Sequence, residues 1–80
     1  MTYEAIISTP RQEPTHEREY MDLIEDMTQF GYIDSTMGTH GYTFEFWVSR
    51  EMSIEQLDSA IRDIVNYYGL VLRDLYEIGY

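Results

Sequence analysis

The side chains able to do chemistry are unevenly stocked in this chain. Cysteine and lysine are absent, histidine occurs twice, and fifteen carboxylates stand against five basic residues, all arginine. Nucleophilic catalysis therefore lacks its thiol and its amine, and no serine sits in a glycine-flanked elbow. A metal would have to be held by His16 with Glu13 or Glu17, a spacing that matches no strong ligand pattern, and thiolate sites are excluded. Carboxylate pairs suited to acid–base work are so numerous that no single pair stands out. The residues predict no catalytic centre, no metal and no cofactor, so the expected protein is not an enzyme.

What remains conspicuous is the charge itself, formally −10 at neutral pH. Such a balance is common in disordered chains, but here 44% of residues are apolar and 15% aromatic, enough to bury a core. Eighty residues bound one compact domain, 1–80. Met1 is followed at once by Tyr3–Ser8, with no basic leader and no long apolar run. The expectation is a cytoplasmic protein without a membrane span.

The carboxylates must be positioned by a scaffold, and periodicity outlines it. Residues 3–8 form a short β-rich run that stops at Thr9-Pro10. From Thr15 the period changes: Tyr20, Leu23, Ile24, Met27 and Phe30 make one helical stripe, so a helix is expected over 15–30, with Thr15 as N-cap and Gly31 as the stop. Strands over 32–37 and 42–49 are joined through Gly38-Thr39-His40-Gly41. Ser53 and Gln56 form a capping box that opens a second helix, ended by Gly69. Leu70–Ile78 alternates as a strand, although Leu-Arg-Asp-Leu would also suit a helical turn. The order β-α-β-β-α-β is similar to the ferredoxin-like α+β sandwich, which implies a four-stranded antiparallel sheet with both helices on one face.

Alternation divides the aromatic third strand. Tyr42, Phe44, Phe46 and Val48 point one way and Thr43, Glu45, Trp47 and Ser49 the other. The first set should meet the helices. The second should lie on an uncovered sheet face with Ile6 and Leu75, amid Glu4, Asp34 and Glu45. A glycine followed by alternating aromatics on this strand resembles the stacking signature of RNA-recognition domains, with His40, Thr43 and Glu45 as departures from it. Nucleic-acid affinity draws on Lys and Arg, so a body at −10 is not expected to bind nucleic acid directly. Two other ferredoxin-like families fit no better. The phosphate loop of the acylphosphatases would need a glycine-rich cradle around Arg11, and the metallochaperones need a cysteine pair.

On the first helix Glu19, Asp22, Glu25 and Asp26 fall on the polar side at steps of three and four, a like-charged stripe that costs a few tenths of a kcal/mol per pair. Rows of carboxylates beside aromatic rings present what a polynucleotide presents, spaced anions with stackable planes. In size, acidity and lack of catalytic equipment the chain resembles small phage-encoded inhibitors of host defence of the anti-CRISPR type. That resemblance implies a basic, nucleic-acid-binding surface of a defence complex as partner. The expected contact residues are Glu19, Asp22, Glu25, Asp26, Glu4, Asp34, Glu45 and Trp47. The competing expectation is a ferredoxin-like regulatory domain that forms a homodimer through Trp47 and Ile6 on the exposed sheet face.

Overall fold

The computed structural model describes residues 1–49 and 51–78. Its elements are β1 (Thr2–Ser8), α1 (Glu17–Met27), β2 (Tyr32–Met37), β3 (Gly41–Trp47), α2 (Ile54–Tyr67) and β4 (Val71–Ile78). Short 3-10 turns at Pro10–Gln12 and Thr28–Phe30 flank α1. The four strands form one sheet in the order β2-β3-β1-β4, every neighbouring pair antiparallel. The last segment is thus a strand, and the helical alternative for Leu-Arg-Asp-Leu is not adopted.

One core holds the layers together. Tyr3, Ala5 and Ile7 of β1 and Tyr42, Phe44 and Phe46 of β3 are buried on the same sheet face, against Leu23 and Met27 of α1 and Leu57, Ile61 and Val65 of α2. Both helices therefore cover that face and leave the other open. The rings pack edge-on and stacked, with Tyr20 parallel to Tyr42 at 5.7 Å and Phe30 edge-on to Phe46 at 6.2 Å.

The two helices begin differently. The capping box of α2 forms as its sequence requires, Ser53 Oγ accepting from the Gln56 amide and Gln56 Oε1 accepting from the Ser53 amide. For α1 the expected Thr15 cap is displaced by one residue. His16 is the N-cap and its side chain does no capping. Instead the buried Tyr42 hydroxyl accepts from the His16 amide (3.1 Å) and donates to Glu19 Oε1 (2.7 Å). Glu19 stands at N3, so this is a capping box relayed through a tyrosine from another element. Thr15 Oγ1 donates to the Gly38 carbonyl (2.6 Å) and ties the helix start to the β2–β3 hairpin.

Sheet irregularities correct one expectation about sidedness. The β1–β4 register shifts between Ile6 and Ile7, where Ile6 pairs with Asp74 and Ile7 with Leu72. Arg73 is the extra residue. Past it the alternation reverses, so Leu75 pairs with inward-facing Ala5 and packs on the core instead of the open face. Tyr76, opposite Glu4, takes the outward position.

Candidate interaction surface on the open sheet face

The outward positions of β1 and β3 are Glu4, Ile6 and Ser8, and Thr43, Glu45 and Trp47. Register across the sheet makes one row of four: Asp34 opposite Glu45, Glu45 opposite Glu4, and Glu4 opposite Tyr76. Facing Cβ atoms in such pairs lie about 5 Å apart, so three carboxylates crowd into a stretch of about 10 Å across three strands. Beside them, one outward step along β3, Trp47 is 61% exposed, and Ile33 at the β2 edge is 51% exposed. The Tyr76 phenol is pushed above its ordinary pKa, first by hydrogen bonding to Glu4, then by burial, then by the charges of Glu4, Asp74 and Glu45. The field of the row thus reaches the ring that ends it.

Like charges directly opposite one another destabilise a sheet. Glu45 sits between two of them, and the ion pair found among the described residues, Arg62–Asp58 on α2, lies on the other side of the molecule. Glu45→Gln is therefore expected to stabilise the fold by about 0.5–1 kcal/mol, a rise of roughly 2–8 °C in the thermal midpoint at low salt. The gain should shrink as salt screens the row. Thermal unfolding at two ionic strengths checks both parts.

The helix carboxylates do not join this row, because α1 packs on the opposite sheet face. The eight expected contact residues therefore divide into two separate surfaces. Two of the helix four are also taken up inside the fold. Glu19 is half-buried and receives the Tyr42 hydroxyl, and Asp26 is half-buried and receives the Tyr68 hydroxyl of the α2 C-terminus at 2.6 Å. Through these bonds they tie α1 to β3 and to α2. Asp22 and Glu25 remain exposed. Sequence spacing places all four on the polar side of the helix but carries no sign of the tyrosines that reach Glu19 and Asp26.

Those tyrosines make the fold sensitive to alkali. Burial, then the hydrogen bond to Glu19, push the Tyr42 phenol up to about 12; the bond to Asp26 pushes Tyr68 higher still. Both raised values favour the neutral phenol in the folded state. Their stabilisation is complete below pH ~10, where the unfolded phenols ionise, and is lost as pH rises from there through the folded values. Urea midpoints measured from pH 8 to 11 should be level at first and then fall, with Tyr42→Phe showing a shallower fall.

The aromatic rings that resemble an RNA-stacking signature are unavailable for stacking. Tyr42, Phe44 and Phe46 are each no more than 1% exposed and face the helices. No helix among the described residues is long and apolar enough to cross a membrane. No group of three metal-ligating side chains occurs among them either. Compared with protein-family models, curated proteins and solved structures, the chain matches none.

Proposed function

We propose that this protein is a non-enzymatic interaction protein that presents its acidic open sheet face to a basic, nucleic-acid-binding site of a defence complex, in the manner of small phage-encoded inhibitors of the anti-CRISPR type, and that it acts in the cytoplasm. The observation that carries the reading is the row Asp34–Glu45–Glu4 beside an exposed Trp47, on a sheet face that neither helix covers. A chain selected only for stability would relieve these pairings, and one selected only for solubility would have no use for the indole. Carboxylates with an accessible ring suit a cationic groove, where arginines pair with the acids and stack on the indole. Two copies meeting face to face would instead oppose like-charged rows, which favours a partner of opposite charge over self-association.

The scaffold is read as ferredoxin-like. That reading is supported by the element order β-α-β-β-α-β and by a sheet ordered β2-β3-β1-β4 with antiparallel neighbours. The contact set is Glu4, Glu45 and Trp47, with Asp34 at its rim.

Binding to purified RNA-guided nuclease complexes, measured by interferometry over a salt series, tests the proposal. Affinity should fall steeply with salt. Glu4→Lys/Glu45→Lys should weaken it by roughly tenfold or more, while Asp22→Lys/Glu25→Lys on the helix side changes it by less than about threefold. A larger effect from the helix pair, or salt-independent binding, would contradict the sheet-face assignment.

A further inference from the structure

Both edges of the sheet carry the same device, and it concerns what cannot pair with this protein. β2 and β4 are the edge strands, and an edge strand offers unpaired amides and carbonyls to any other chain. On β2 the Gly38 amide donates to the Gly41 carbonyl, which makes 38 and 41 a hydrogen-bonded pair. Antiparallel alternation then makes Thr36–Thr43 bonded and Ser35–Phe44 non-bonded, so the Ser35 amide points away from the sheet. That outward amide is taken by the side chain of its own neighbour, donating to Asp34 Oδ1 at 2.8 Å.

On β4 the same arithmetic applies. The amide of Val48 donates to the Met1 carbonyl and that of Thr9 to the His40 carbonyl, so odd-numbered residues of β1 bond to β3 and even-numbered ones to β4. Leu75 faces Ala5, an odd residue, and its amide therefore also points outward. It donates to Asp74 Oδ1 at 2.9 Å. Each aspartate sits at a register shift, between Tyr32 and Asp34 on β2 and beside Arg73 on β4, where the strand is already bent away from a straight template.

We infer that Asp34 and Asp74 are edge guards, which close β2 and β4 to strand addition by a second copy of this chain. Lysine, the usual charged blocker of sheet edges, is absent from the sequence, and bulge plus aspartate replaces it. A bonded amide cannot donate to an incoming strand, and the carboxylate beside it meets any approaching carbonyl row with negative charge. The inference stands whether or not the open face binds a basic partner.

The test compares two double variants of equal charge. Asp34→Asn/Asp74→Asn and Asp34→Ala/Asp74→Ala both lower the net charge from −10 to −8, two carboxylates being removed. Asparagine keeps an oxygen that accepts from the following amide, and alanine does not. Sedimentation velocity of the full chain from about 10 µM to about 1 mM should find the wild type and the Asn variant monomeric. The Ala variant should self-associate about tenfold or more tightly than the Asn variant. Equal behaviour of the two variants would overturn the inference. Should the Ala variant fail to fold, amide exchange in the wild type decides. Ser35 and Leu75 should exchange more slowly than Met37, whose amide also points outward and has no acceptor among the described residues. Equal rates at the three positions would refute the guards.

Discussion

Replacing Gly31 with alanine is expected to remove about 3 kcal/mol or more of folding free energy, a large part of what an 80-residue domain has. Two causes add. Gly31 closes the Thr28–Phe30 turn that follows α1, in the left-handed region at φ 79°, where a side chain costs roughly 1–2 kcal/mol. A Cβ there would also lie 2.0 Å from the backbone oxygen of Trp47, and that backbone cannot retreat freely because the Trp47 amide donates to the Gly31 carbonyl at 2.8 Å. Gly69 provides the control. It ends α2 at φ 72°, and a Cβ there meets nothing within 4 Å. Gly69→Ala should therefore show the conformational cost alone, about 1–2 kcal/mol. Urea unfolding of the two variants measures the difference; equal losses would show that the approach to Trp47 is not rigid. Because the displaced backbone carries Trp47, Gly31→Ala should also weaken partner binding under conditions where it remains folded.

Phe44 and Trp47, three residues apart on one strand, should behave oppositely. Phe44 is fully buried, with Tyr20 at 6.2 Å and Tyr32 and Phe46 at 6.3 Å, so Phe44→Ala is expected to cost about 3–5 kcal/mol by leaving a cavity among rings that cannot close it. Trp47→Ala removes a mostly exposed side chain and should change stability by less than about 1 kcal/mol. Its cost belongs to binding. As the most exposed ring of the proposed contact, beside the acidic row, it should account for 2 kcal/mol or more, roughly a thirtyfold loss of affinity. Denaturation and salt-series binding on both variants separate the roles. A Trp47→Ala protein that binds as tightly as wild type would remove the indole from the contact.

The two residues face opposite sides of the same strand. The inward positions of β3 pack against the helices, and its outward Glu45 stands in register with Glu4 of β1 and Asp34 of β2, like-charge pairs of a kind that destabilises a sheet. The Glu45→Gln prediction states the same conflict from the other side: a more stable fold with a weaker surface.

Much of the scaffold was legible in the residues alone. Period 3.6 over Tyr20–Phe30, the Ser53–Gln56 box, the glycine-bounded hairpin and the inward alternation of Tyr42, Phe44 and Phe46 are local signals, set by the geometry of single elements, and each of these elements forms, although the first helix runs over Glu17–Met27 and closes in a 3-10 turn at Thr28–Phe30 instead of filling 15–30. The total charge was likewise readable, since counting needs no coordinates. What tertiary structure decided is which charges share a surface. Whether Glu4, Asp34 and Glu45 stand in one row depends on the pairing register of three strands distant in sequence, and no local pattern encodes it. The loss of Glu19 and Asp26 from the exposed stripe depends on Tyr42 and Tyr68, tens of residues away, and the inward turn of Leu75 on a register shift at Arg73. Periodicity assigns a side chain to a face of its own element; only packing determines which face of the molecule that becomes, because the neighbour that bonds, buries or repels it arrives from elsewhere in the chain.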